Sequence, residues 1–410
     1  MVNSWSGQRL PHPPRRLPVA GDFLAVSPRT PAQCMMSHAD LGPLYELKLF
    51  GQRVVLVNSA ELAAELCDES RFQKAIPTAV AALRAFVGDG LVTAYNDESN
   101  WRLAHDLLVP AFTQGAMRRY HPVMAQASDE LLARWDSATG PVDVPGDMTR
   151  VTLETIGRAG FSQPFGSFES AGQHPFVAAM VAVMAEGQRA ALMAAVPGAR
   201  IFARAAERSY RQKTDYLWDF IDDIIVRRRA EGGEGPDDLL GLTLNAAHPE
   251  TGERLADQNI RYQILTFLAA GHETTSSALS FALYYLASNP GLAQRAVRDD
   301  AGGSRGRAAP AGPPGPGGLG AGRGRVQPGP VPLENSRGRM SHALKMFGAG
   351  ERSCIGRQFA LHEAVLVLAR LLRRYEIATE PGYRLRVAER PTLMPHGLRL
   401  RVTPRAPRPR

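Results

Sequence analysis

The chain has 410 residues, 44% of them hydrophobic, enough to bury a large core as one large domain or two. Its 48 Lys+Arg against 40 Asp+Glu leave a formal net charge of +8. That excess sits in two acid-free stretches, four Arg (305, 307, 323, 325) between Ala301 and Leu333 and four more (401, 405, 408, 410) in Arg401–Arg410, so the balanced remainder offers no basic face for nucleic acid.

Met1–Arg16 is polar and Pro-rich, without the apolar stretch of a signal peptide. A flexible N-terminus (1–16) is expected. The longest unbroken apolar run, about Phe176–Ala185, is too short to span a bilayer. No membrane anchor and a cytoplasmic location are expected. Three Cys (34, 67, 354) are an odd and sparse set, which argues against a disulfide scaffold and leaves any special Cys as a ligand or nucleophile. Tyr45–Ser59 reads as a hairpin around Gly51-Gln52. Ala60 to about Ala230 is helical in pattern, broken at Gly88-Asp89-Gly90 and at Ala138–Pro141, and closed by Gly232–Pro236. Asp257–Leu286 is one long helix, with apolar residues at three- and four-residue spacing, ended by Asn289-Pro290.

Between 301 and 330, 26 of 30 residues are Gly, Ala, Arg or Pro. Such a segment cannot bury enough apolar surface to offset its ordering entropy, and disorder is expected. From Met340 the chain looks globular again, with an amphipathic helix at Gln358–Tyr375, short strands in Tyr383–Val402 and a loose tail at 403–410. The expected organisation is therefore 17–290, a low-complexity segment at 291–339, and 340–402.

Three constellations are suited to chemistry. Trp101 and His105 are four apart and share a helix face, where both can donate to a carboxylate; alone they would be a core Trp and a surface His. Ala269-Ala270-Gly271-His272-Glu273-Thr274-Thr275 places an acid beside a hydroxyl inside an apolar helix, which is costly unless hydrogen-bonded. A Thr can bond back to a carbonyl one turn earlier, and Gly271 admits a flat group; a zinc reading fails because position 276 is Ser. In Phe347–Gly356 a Cys lies just before a helix, where free N–H groups and the positive dipole end are expected to lower its pKa. Gly348, Gly350 and Gly356 allow a tight loop around the sulfur, and Arg352 adds a cation.

Phe347, Gly348, Gly350, Arg352, Cys354 and Gly356 match every signature position of the haem-binding loop of the cytochrome P450 family, which this stretch resembles. The resemblance implies a mainly α cytochrome P450 fold with a small β lobe. It implies haem b with Cys354 as axial ligand to the iron, Phe347 beside the sulfur and Arg352 on a propionate. A thiolate ligand favours O–O cleavage. By the same resemblance Ala270 faces the haem, Thr274 hydrogen-bonds dioxygen and Glu273 serves proton delivery. Trp101 and His105 lie against the propionates.

The stretches CDESRFQK (67–74), GDGLVTAYNDESNW (88–101), NIRYQILTFLAAGHETTS (259–276) and CIGRQFALHEA (354–364) resemble the haem domain of self-sufficient bacterial and fungal fatty-acid hydroxylases, over about 17–290 and 340–400. Val92 falls where such enzymes place a residue that tunes substrate access. Leu56 stands at the position of their carboxylate-anchoring Tyr, and Arg53 is out of step with their Arg. The implied function is insertion of one oxygen atom of O2 into an apolar substrate, a fatty acid. Electrons are expected to come from NAD(P)H through a separate flavoprotein or ferredoxin reductase; neither nucleic acid as a partner nor a membrane anchor is expected.

Only 56 residues lie between Pro290 and Phe347, where the family needs two helices, a Glu-x-x-Arg pair, pocket strands and a meander. Glu334-Asn335-Ser336-Arg337 fits the four-letter pattern but follows Pro328, Pro330 and Pro332 without helical period. Gly, Ala, Arg and Pro are the residues of all-G/C codons, as in GC-rich DNA read out of frame. The fold is thus expected to be incomplete between the long helix and the Cys loop. The alternative to a working enzyme is a non-catalytic remnant with weak or no haem binding.

Overall fold

In strand β1 (Leu44–Leu49) Tyr45 and Leu47 point inward and pack with Val26, while Lys48 faces water. It pairs antiparallel with β2 (Gln52–Val57), with Leu49 opposite Gln52. That register leaves a two-residue turn, Phe50-Gly51, with positive φ at both positions (46° and 88°), the twist a tight hairpin needs. The expected hairpin is therefore found, its two-residue turn placed one residue earlier than Gly51-Gln52. The protein is described by a computed structural model covering residues 9–406, except Pro28, Pro77, Ala82, Ala171, 195–202, 232–237, 302–344 and Pro391. It divides into two compact units, one holding the residues up to Gln73 together with 345–353, the other most of 74–301 and Cys354 onward. The hairpin belongs to the first unit, with the short helices α1 (Pro31–Ser37) and α2 (Ala60–Leu66).

The second unit is built from helices α3 (Thr78–Ala81), α4 (Arg84–Val87), α5 (Ser99–Leu108), α6 (Gln114–Asp136), α7 (Val144–Phe161), α8 (Pro175–Ala194), α9 (Ala203–Ala230), α10 (Leu239–Asn245), α11 (Asp257–Ser288), α12 (Pro290–Ala301) and α13 (Arg357–Arg374). Starts are set by local chemistry. The Thr113 hydroxyl accepts from Ala116 N–H, and Asp143 and Asp238 accept from Gly146 and Gly241 N–H. A three-stranded antiparallel sheet, ordered β3 (Val142–Asp143), β7 (Arg399–Pro404), β4 (Tyr375–Thr379), and a hairpin of β5 (Val387–Glu389) and β6 (Leu393–Pro395) complete it. The architecture is mainly α with a small β part, as expected. No helix among the described residues is long and apolar enough to cross a membrane.

Asn289-Pro290 ends α11 at Ser288, as expected. One expectation is corrected: Pro290 also begins a further helix, because Pro at a first helical position loses no internal hydrogen bond. It opens α12, whose Ala293 and Val297 bury against Leu372 of α13. The start of the segment assigned to low complexity is thus a packed helix. The rest of that segment, including the expected disorder at 302–330 and Glu334–Arg337, lies outside the described residues.

The core holds several ionisable groups. Asp147 accepts from Arg134 Nε (2.7 Å) and from Trp135 Nε1 (2.9 Å). Glu363 of α13 is fully buried, and neither carboxyl oxygen has a partner with hydrogen-bond geometry; burial drives its pKa well above the ordinary range, the Thr155 hydroxyl pulling the other way. A carboxyl with a raised folded pKa binds its proton more tightly in the native state, so its contribution to stability is lost as pH rises from the ordinary Glu range through the raised value. Replacing Glu363 by Gln is expected to flatten that loss, which thermal unfolding of both proteins across pH 5–8 measures.

Candidate active site

Helix α11 is buried along almost its whole length, and α7 approaches it closely. A Cβ at Gly271 would meet Ile156 Cγ1 at 2.9 Å, and Thr152 Oγ1 donates to the His272 carbonyl at 2.9 Å. Between buried neighbours, Ala270, Thr274 and Ala278 stay exposed. They are four apart, so they form one open stripe on an otherwise sealed helix. Thr274 Oγ1 donates to the Ala270 carbonyl at 2.7 Å, the one-turn back-bond expected from the sequence, and the helix runs on unbroken. His272 points away, fully buried, with Nδ1 2.6 Å from the Leu268 carbonyl; burial lowers its pKa and keeps the ring neutral, the Leu268 carbonyl opposing.

Glu273, 6% exposed, lies beside the stripe. Its pKa is raised by burial, with Arg390 and the Thr392 hydroxyl acting in the opposite direction; Thr392 Oγ1 donates to Oε1 at 3.4 Å. Arg390 and Thr392 come from the β5–β6 connection, more than 100 residues later, and no local pattern marks them. The structure thus adds two groups to the acid that sequence reasoning missed.

Cys354 precedes α13. A Cβ at Gly356 would stand 3.9 Å from its Sγ and 3.9 Å from Phe112 Cε1, and Phe112 stacks on Phe267 of α11 with centroids 5.5 Å apart. Phe112, which the sequence did not single out, so connects the cysteine's surroundings to the turn of α11 preceding Ala270. The expected thiol pKa is corrected. Although the residue is exposed, desolvation by the atoms around the sulfur raises it, and the Gly356 N–H lowers it by less. Dipole and N–H groups favour a thiolate, but desolvation without a cation opposite it is the larger effect.

Trp101 and His105 of α5 share a face as expected, their rings stacked at 5.0 Å and 20°. Trp101 is buried, and His105 Nδ1 lies 3.2 Å from Asp106 Oδ1. Val92 sits in the turn before α5 and is half exposed, at 50%. Phe347, Gly348, Gly350 and Arg352 belong to the first unit. Gly348 and Gly350 have φ of +72° and +69°, and the Gly348 N–H donates to the Lys345 carbonyl at 3.0 Å. The Gly350 Cα faces the Glu69 carboxylate in contact, and Glu69 accepts from the Glu351 N–H at 2.9 Å. Arg53 of the same unit is paired with Glu46 (2.6 Å), and Leu56 lies opposite Tyr45 in the hairpin.

Residues 11–301 and 332–399 match the family Cytochrome P450. The chain belongs to this family. A bifunctional cytochrome P450/NADPH–P450 reductase of Bacillus cereus is 35% identical, the match covering 89% of this chain and 39% of that protein. A protein of the same description from Bacillus subtilis is also 35% identical, over 89% of this chain and 39% of its own length. A self-sufficient cytochrome P450 monooxygenase of Aspergillus terreus is 34% identical, over 95% of this chain and 42% of that protein. The chain thus spans about two fifths of the length of these relatives.

The family implies haem, and two features of this structure fit a flat, thiolate-bound group. The stripe Ala270–Thr274–Ala278 is the one open face in the middle of α11 among the described residues, and it bears two methyl side chains and one hydroxyl. The desolvated Cys354 thiol already receives one N–H, and a metal cation would remove the penalty that raises its pKa. Gly350→Ala is expected to cost about 1–2 kcal/mol for the positive φ alone, with a further loss as Glu69 is displaced. Thermal or urea unfolding of the variant checks this.

Proposed function

We propose that the chain is the haem domain of a monooxygenase that inserts one oxygen atom of O2 into an apolar substrate, a fatty acid, with electrons from NAD(P)H through a reductase. The open stripe of α11, bearing Thr274 beside the buried acid Glu273, is the observation that carries this reading. Cys354 would hold the haem iron, with Phe347, Gly348, Gly350 and Gly356 shaping its loop, and Arg352, Trp101 and His105 would hold the propionates. When bound, haem supplies the dioxygen chemistry, and a thiolate ligand favours O–O cleavage.

The chain's own residues manage protons and water. Glu273 keeps a proton on its carboxyl to higher pH than a solvated Glu, because burial outweighs Arg390 and Thr392. The Thr274 hydroxyl spends its proton on the Ala270 carbonyl and offers its oxygen lone pairs on the open stripe. Ala270 and Ala278 leave room for a flat group and an apolar substrate. Val92 is assigned to the substrate entrance. The bacterial and fungal relatives support the reductase requirement, since two of them are described as fusions with an NADPH–P450 reductase.

The test is the reduced, CO-bound absorption spectrum of the haem-loaded protein. A thiolate-type Soret band is expected, and its loss in Cys354→Ala. Failure of the wild-type chain to take up haem overturns catalysis by this chain and leaves the non-catalytic remnant. Product formation with a supplied reductase should fall on the alkaline side as Glu273 loses its proton, and Glu273→Gln should lower the rate and flatten that limb.

A further inference from the structure

An open groove of about 440 Å³ lies along α8, with Gln173, Ala178 and Arg390 exposed on it. Ala178, Val181, Ala182 and Ala185 line one side. Their spacing of three and four residues puts them on one helix face, roughly 10 Å long at 1.5 Å per residue. Three small side chains in that row leave the trough open. The polar lining is Gln173, Glu186 and Arg390. Glu186 is already neutralised, Lys213 Nζ standing 2.5 Å from Oε1. Arg390 is not. Its guanidinium makes no hydrogen bond or salt bridge to the described residues and only feels the Glu273 carboxyl of α11 at longer range.

An apolar trough with one uncommitted guanidinium is complementary to an amphiphile with an anionic head, because a carboxylate can take two N–H bonds from the planar fork. The hairpin offers no such group, since Arg53 is committed to Glu46 at 2.6 Å. We propose that this groove binds the carboxylate of a linear aliphatic acid through Arg390, with the alkyl chain lying along Ala178–Ala185. The proposal rests on the fatty-acid reading above and moves the anion anchor from the hairpin to the β5–β6 connection.

Calorimetric titration of the haem-loaded protein with dodecanoate and with neutral dodecanol tests it, without recourse to turnover. Arg390→Leu is expected to weaken dodecanoate roughly tenfold or more and to leave dodecanol unchanged. Arg390→Lys, which keeps the charge and loses the fork, should fall between. Arg53→Leu should bind both as the wild type does. Ala182→Phe, which fills the trough, should weaken both ligands. The anchor is overturned if Arg390→Leu binds dodecanoate as tightly as the wild type, or if Arg53→Leu is the variant that loses it. Unchanged binding of both ligands by Ala182→Phe overturns the groove. If the wild type binds neither ligand, the fatty-acid reading falls and the anchor with it; if it binds dodecanol alone, the anchor falls by itself.

Discussion

The close approach of α11 to α7 is the contact on which the rest of the second unit depends. Gly271 has no side chain where Ile156 presses in, and Thr152 ties the His272 carbonyl across the gap. A Cβ at 271 would stand 2.9 Å from Ile156 Cγ1, so the Ile156 side chain or the helices must shift, in a densely packed interior. Held this way, α11 buries His272, Glu273, Thr275, Ser276 and Ser277 and turns Ala270, Thr274 and Ala278 to the open side. Which face of the helix is available for chemistry is thus a consequence of one glycine and one hydrogen bond between helices.

The same dense interior explains why acid–base character is concentrated there. Glu273, Glu363 and Asp147 all have their pKa raised by burial, and buried His272 is held neutral by it. Desolvation dominates in each case and partners only moderate it. Asp147 is surrounded by Arg134, Arg150 and Trp135 and so works as a structural clamp between α6 and α7. Glu273 meets Thr392 and Arg390 at the edge of the open stripe, where a proton can be used. Position relative to the stripe, rather than residue type, separates the structural acids from the one proposed to be functional.

Much of the site is legible in the chain itself because its chemistry is local. Cys354 and Gly356 are two residues apart, Thr274 and Ala270 one helical turn, and Trp101 and His105 another, and the structure finds each pair in contact range. Helical periodicity likewise locates α11 to within two residues of its end. Three things escape a linear reading. Pro290 both follows the end of α11 and opens α12, since Pro suits a first helical turn, and only the burial of Ala293 and Val297 against α13 shows that helix resumes there. A helix start favours a more acidic Cys354 thiol, whereas the desolvation of its sulfur by surrounding atoms, which works the other way, is a tertiary quantity. Phe112, Arg390 and Thr392 reach the site from distant segments and have no motif.

The chain's net charge of +8 is set by composition, its excess lying in the two acid-free stretches 301–333 and 401–410. Sequence alone determined the family, the candidate ligand, and the acid–hydroxyl pair, because spacing along a helix or a short loop is enough to bring those groups together. Tertiary structure decided which face of α11 stays open, which direction burial moves each pKa, and that Arg53 is paired with Glu46. Those depend on the distances between segments, and on the water that their packing excludes.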